Sequence, residues 1–167
     1  MLHLAKTMSG LQFGSLMAVY EEANRENGRL RWPEEPEMRQ IQLAEQDFYR
    51  YLCQVFFQTP GAVYAVWEEG GAYVSALRLE PYRDGLLLEA LETAPEHRNK
   101  GFAARLIKAV QAQLKQKGKV RLYSHVGKGN LPSLKTHEDC GFRTLLDYAV
   151  YVDGSVNRDA FTLFFEG

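Results

Sequence analysis

The chain is poor in the features that mark specialised classes of protein. Among its 167 residues are two cysteines, Cys53 and Cys140, far apart and without a partner at metal-ligand spacing. This argues against a disulfide scaffold and favours a reducing compartment, so a cytoplasmic location is expected. No apolar run approaches the ~18 residues that a membrane span needs. The first residues also lack the charged region and apolar run of a signal peptide. Charge of one sign is missing too: 20 Lys and Arg against 21 Asp and Glu leave a formal net charge of −1. No overall field therefore draws the chain to nucleic acid or to an anionic membrane, and neither is expected as a partner. None of His3, His97, His125 and His137 stands at ligand spacing from another His, Cys or acid, so no metal is expected.

What is present is the balance of an ordinary globular protein, 46% hydrophobic and 25% charged residues. No repeat, low-complexity tract or Ser/Gly linker interrupts it, and one domain over residues 1–167 is expected. Residues 1–60 read as a short strand near Leu2 to Ala5 and two helical stretches. The first runs from a cap at Ser9 to Asn27-Gly28. The second starts at Glu37, with Ile41, Ala44, Phe48, Tyr51, Leu52, Val55 and Phe56 at spacings of three and four. Residues 29–36, with two prolines and Trp32, read as a loop. From Ala62 the pattern turns to strands: a hairpin across Glu68-Glu69-Gly70-Gly71, then a run from Leu86 to Thr93. A helix from Gly101 to Lys117, a strand from Val120 to Val126 and a short helix closed by Gly141 follow. Two tail strands, 144–152 and 160–165, complete the chain. This order mixes antiparallel hairpins with a strand–helix–strand crossover, hence an α+β or mixed α/β fold with one parallel pair.

The segment that carries chemistry is Arg98-Asn99-Lys100-Gly101-Phe102-Ala103, between a strand and a helix. Gly101 has no side chain and Ala103 only a methyl group, so backbone amides there can approach a ligand. The helix N-terminus adds partial positive charge and favours phosphate or pyrophosphate. The alternative at this level is a helix start flanked by solvated basic residues.

The stretch Leu91-Glu92-Thr93-Ala94-Pro95-Glu96-His97-Arg98-Asn99-Lys100-Gly101-Phe102-Ala103 resembles motif A of the GNAT acetyltransferase superfamily. In that motif a strand leads into R/Q-x-x-G-x-G/A at the start of a long helix. Arg98, Gly101 and Ala103 fill its three defining places. Asn130, followed by the segment from Ser133 to Gly141-Phe142, is similar to the superfamily's second signature. The resemblance covers about Tyr64 to Phe165. It implies a central, mostly antiparallel mixed sheet, splayed at the CoA site and flanked by helices. It also implies acetyl-CoA as cosubstrate, a small-molecule or peptide amine as acceptor, and a homodimer as its common assembly. By position, the amides of Asn99, Lys100, Gly101, Phe102 and Ala103, with Arg98, would cradle the CoA pyrophosphate. Main-chain groups of Leu91 and Thr93 would pair with pantetheine and polarise the thioester carbonyl. Asn130 and Ser133 would line the same groove.

Amine acetylation also needs a base, because the acceptor arrives protonated. Glu89 and Glu92 are the candidates. Strict strand alternation places Glu89 on the side of Leu91 and Thr93, with Glu92 opposite. Aminoglycoside 6′-acetyltransferase-like members of the family carry a Glu at the place of Glu89, which is therefore the expected base. Where many members have a tyrosine acid four residues before the Gly-Phe pair, this chain has His137, the expected acid, the alternative being a helix-surface histidine that merely packs on its neighbours. A second reading of that departure is a CoA-binding module without catalysis, and a third is acetylation of a protein lysine or N-terminus. Glu21, Glu22, Glu34, Glu35 and Glu37 give the acceptor side a partly acidic surface, and Trp32, Tyr49 and Tyr73 are candidate pocket aromatics.

Overall fold

A computed structural model describes residues 1–167. The chain opens with strand β1 (Leu2–Ala5) and a single 3-10 turn over Met8–Gly10. The helical stretch expected next is two helices, α1 (Phe13–Val19) and α2 (Glu21–Arg31), which break at Tyr20. Helix α2 continues past the expected stop at Gly28 and shortens the loop to residues 32–36. Its glycine is a crossing point, not a terminator. A Cβ on Gly28 would lie 2.7 Å from the carbonyl oxygen of Gln40, in α3 (Glu37–Gln54). Close backbone approach outweighs the ~1 kcal/mol helix cost of glycine.

Strands β2 (Val63–Glu69), β3 (Ala72–Tyr82) and β4 (Gly85–Thr93) form the expected meander. The first turn carries positive φ at both Gly70 (60°) and Gly71 (83°), as a two-residue hairpin loop requires. There follow α4 (Phe102–Lys115), β5 (Arg121–Gly127) and α5 (Leu131–Asp139). The tail departs from the expected two strands. Its first run breaks at Asp147-Tyr148 into β6 (Arg143–Leu146) and β7 (Ala149–Val150). The short β7 pairs with β8 (Val156–Asn157) in a separate ladder, while β9 (Ala160–Glu166) returns to the main sheet.

That sheet has seven strands in the order β1-β2-β3-β4-β5-β9-β6. Its pairs are antiparallel except β4 with β5, the expected parallel crossover. Helices α1 to α3 cover one face, around Leu16, Leu52, Phe56, Tyr64 and Val66. Helix α4 and the end of α5 cover the other, where Leu77, Leu88, Leu106, Ile107 and Leu122 meet. Parallel pairing of β4 and β5 is confined to Leu86–Leu88 against Leu122–Ser124. Beyond Leu88 the two strands part, which is the splay expected at the cofactor site.

One irregularity reorders the site. Ala76 pairs with Glu92 but Arg78 pairs with Glu89, so Ala90 and Leu91 together oppose the single residue Leu77. Ala90 takes φ 50°, unusual for a residue with a side chain. A bulge of this kind inserts one residue and resets the alternation beyond it. Accordingly Ala90 packs into the core under α1 to α3, whereas Leu91 packs into the core under α4. The expectation that Glu89 shares a face with Leu91 and Thr93 is thereby corrected. Glu89 and Glu92 both emerge toward α1 to α3, because their partners Arg78 and Ala76 are two residues apart on β3.

Candidate active site

After β4 the chain makes a 3-10 turn over Pro95–His97 and enters α4 through two left-handed residues, Asn99 (φ 60°) and Gly101 (φ 76°). Left-handed residues alternating with right-handed ones curl a backbone and can gather successive N–H groups into an anion-binding concavity. The N–H groups of residues 99–104 donate to no backbone acceptor. A 14-residue helix adds its positive end behind them. No atom lies within 4 Å of the place a Gly101 Cβ would occupy, so the mouth of this cradle is open.

The cradle forms one end of a groove of about 620 Å³ between the tips of β4, α4 and α5. Leu91, Thr93, Arg98, Asn99, Gly101, Phe102 and Ala103 line it from one side, and Asn130 and Ser133 from the other. Asn130 caps α5 by accepting a hydrogen bond from the Ser133 N–H (3.2 Å). Arg98 turns its guanidinium toward the sheet. Its Nε donates to the Thr93 carbonyl (3.2 Å), and Nη1 contacts Glu22 of α2 at 2.6 Å. The motif arginine thus ties the end of β4 to the helices on the other face.

On that other face lies a second cavity, about 470 Å³, between α2, α3 and the bulge. Tyr20, Asn24, Asn27, Tyr51, Arg78 and Ala90 are among its walls. Glu92 lines both this cavity and the groove. It stands 3.9 Å from Arg98 Nη2. Burial raises its pKa, an effect opposed by the Arg98 charge and reinforced by Glu22. The bulge that aims it is pinned by tyrosines. The Tyr20 hydroxyl donates to the Ala90 carbonyl (2.6 Å) and accepts from the Tyr64 hydroxyl (2.9 Å).

A family model described as the acetyltransferase (GNAT) family matches residues 17–142. The chain belongs to that family. It is an N-acyltransferase of the acyl-CoA-dependent kind. Among solved structures it is similar to a ribosomal-protein-alanine N-acetyltransferase from Brucella melitensis, at 21% identity and a TM-score of 0.59, covering 100% of this chain and 98% of that one. It is also similar to the PaiA N-acetyltransferase of Thermoplasma acidophilum in complex with coenzyme A, at 15% identity and a TM-score of 0.58, covering 100% and 99%. A chimera of spermidine N-acetyltransferase from Vibrio cholerae gives 20% identity and a TM-score of 0.60, covering 98% and 94%. At such identities these likenesses establish a shared fold. No curated protein sequence matches.

Within this GNAT site the residues named from sequence fall into two groups. Leu91, Thr93, Arg98, Asn99, Gly101, Phe102, Ala103, Asn130 and Ser133 converge on the groove. Lys100, Glu89 and His137 do not line it. Lys100 bends back to donate to the Glu96 carbonyl (2.8 Å). Glu89 faces helices α1 to α3, 3.3 Å from Arg78 Nη2. His137 is 1% exposed, with its ring 5.1 Å from that of Phe142. Its Nδ1 lies 2.8 Å from the Ser133 carbonyl oxygen and therefore donates, which leaves Nε2 as a lone-pair acceptor without a partner. Burial pushes the pKa of His137 down, the Ser133 carbonyl opposing it. The expected acid is thus a neutral core imidazole. Helical spacing put it four residues from Gly141 but could not say which way that position faces. No group of three or more His, Cys, Asp or Glu side chains is disposed to hold a metal ion. No helix is long and apolar enough to cross a membrane.

Proposed function

We propose that this chain moves an acetyl group from acetyl-CoA to a primary amine by direct transfer, with Glu92 as the base. One observation carries the reading: Glu92 is the acidic side chain shared by the groove with the phosphate cradle and the cavity on the opposite face. Acetyl-CoA brings an activated acyl carbonyl and a thiolate leaving group. The N–H groups of residues 99–104 bind pyrophosphate, and the open mouth at Gly101 admits it. Main-chain groups of Leu91 and Thr93, freed from pairing where β4 leaves β5, orient pantetheine and donate to charge developing on the acyl oxygen. Asn130 and Ser133 close the far wall.

The amine arrives from the second cavity and gives its proton to Glu92. A raised carboxylate pKa suits this, since base strength grows as the pKa approaches the working pH. The C–N bond forms as the C–S bond breaks, the nitrogen sheds its second proton to solvent, and solvent in the groove protonates the departing thiolate. His137 takes no part in this scheme. Glu89, paired with Arg78, shapes the acceptor side.

The test is the pH profile of Glu92→Gln against Glu89→Gln. Glu92→Gln is expected to lower kcat by roughly 10²- to 10⁴-fold and to remove the acid limb of the profile. Its KM for acetyl-CoA should stay near that of the native enzyme. Full activity of Glu92→Gln at every pH would overturn the assignment of the base. Binding of CoA without thiol release over a broad amine library would instead favour the non-catalytic module.

A further inference from the structure

The acceptor cavity holds a second charged wall residue besides Glu92. Arg78 projects from β3 into the space between the sheet and α3, with only 15% of its side chain exposed. Its guanidinium lies 4.9 Å from the Tyr51 ring centroid and 5.7 Å from that of Phe56. A guanidinium carries five N–H donors, and a buried charge is costly unless those donors are used. Arg78 uses few of them. Its polar contact is Nη2 to Glu89 at 3.3 Å, and its buried Nε has no partner. Glu89 also stands near Glu80, whose carboxyl is pushed up by burial and by the Glu89 charge, an effect that the Arg78 charge opposes. The cation is thus incompletely answered by the sheet, and Arg78 is among the residues that line the cavity. Asn27 and Asn24 stand across the same cavity, and Asn24 spends its amide nitrogen on the Met17 sulfur (3.3 Å).

The bulge sets the spacing. Glu92 pairs with Ala76 and so stands level with it, two residues along β3 from Arg78. That separates the two backbone positions by roughly 7 Å along the strand. A base for an amine and an unsatisfied guanidinium therefore share a cavity of 470 Å³, at the separation of two functional groups in one small molecule. We infer that the acceptor is an amino-acid-sized amine that also carries a carboxylate, its ammonium at Glu92 and its carboxylate on the free N–H groups of Arg78. This rests on the reading of the cavity as the acceptor site. Arg78 is then a specificity residue, not a catalytic one.

Matched acceptor pairs test it: free amino acids of varied chain length against the same amines lacking the carboxylate or bearing it as an amide. Thiol release from acetyl-CoA gives kcat/KM for each. The carboxylate-bearing member of at least one pair is expected to lead by roughly 10- to 100-fold, the effect of one charged hydrogen-bonded group. In Arg78→Gln this ratio should fall toward one through KM, and Arg78→Lys should restore part of it. Because Arg78→Gln leaves the half-buried Glu89 without its cation, the Arg78→Gln/Glu89→Gln pair is measured alongside. Carboxylate-free amines matching or exceeding their partners in every pair would sink the inference while leaving the acetyltransferase reading intact. A ratio unmoved in the double variant also overturns it. Without turnover in any pair, calorimetry on the CoA-bound enzyme decides. Failure of every carboxylate-bearing member to bind counts against the inference. Loss of rate in Glu92→Gln with the ratio retained keeps both readings.

Discussion

Glu92 and His137 show how burial acts in opposite senses on two titratable residues. A buried carboxyl holds its proton more tightly, and a buried imidazole gives it up more readily. For Glu92 the result is a carboxylate that holds a proton more tightly, at the junction of two cavities. The native kcat/KM should therefore rise with pH through an apparent pKa above the ordinary carboxylate range, a limb absent from Glu92→Gln. For His137 the result is a neutral ring with its one proton committed to Ser133. Replacing it with Gln should leave the shape of the pH–rate profile intact while lowering stability by about 1–3 kcal/mol, as expected when a buried hydrogen bond and its packing are disturbed. A pH–rate profile altered in that variant would restore His137 to the chemistry. Gly101 matters at the same scale for a steric reason. At φ 76° any side chain is strained, and a valine would also narrow the mouth of the cradle. Gly101→Val should raise KM for acetyl-CoA by tenfold or more with the acceptor KM changed far less, as initial-rate kinetics would show.

At the scale of elements, the bulge in β4 is the device that makes the site two-sided. Without it Glu92 would point under α4, away from the cavity between α2 and α3. Tyr20, at the break between α1 and α2, holds the bulge through the Ala90 carbonyl. Helices α1 and α2 are therefore mechanically coupled to the strand that carries Glu92. Tyr20→Phe should cost about 1–3 kcal/mol, because a half-buried carbonyl and the Tyr64 hydroxyl both lose a partner. It should also lower kcat as the bulge relaxes. Denaturant unfolding and steady-state rates check the two effects separately, and a normal kcat at reduced stability would show that the bulge holds itself.

The whole molecule carries two imidazoles kept from charging, one on each face of the sheet. His125 lies between the rings of Tyr82 (5.5 Å) and Tyr151 (5.3 Å), with its Nε2 unpartnered. Burial lowers its pKa and the charge of Arg83 adds to the effect. His137 is lowered by burial as well. Both groups bind a proton more readily in the unfolded chain, whose histidines titrate near 6.5. The unfolded state thus takes up protons first as pH falls, and stability declines from that pH downward. Urea midpoints should drop between pH 7 and pH 5.5, and the slope should flatten in a His125→Gln/His137→Gln variant. A midpoint independent of pH over that window would contradict the placement of both rings.

Sequence alone determined what depends on short-range geometry. Gly101 after Arg98, ahead of a run with Leu106, Ile107 and Val110 on one face, specifies a left-handed entry into a long helix wherever the rest of the chain lies. Gly70 and Gly71 specify their hairpin for the same reason, since only local φ values are at stake. The period-two pattern from Ala62 to Thr93 specified a meander. Tertiary structure decided whatever depends on which face meets which neighbour. Gly28 looks like a helix stop, yet packing against Gln40 makes it a crossing point. Glu89 and Glu92 look like opposite faces of one strand, yet an extra residue in β4, held by a tyrosine 70 positions earlier, puts them on the same face. His137 sits at a catalytic spacing in the sequence, yet the turn of α5 sends it into the core. Periodicity fixes the angle between neighbours along one element. It does not fix the rotation of that element against the rest of the molecule, and the directions of Glu92, Arg78 and His137 all depend on that rotation.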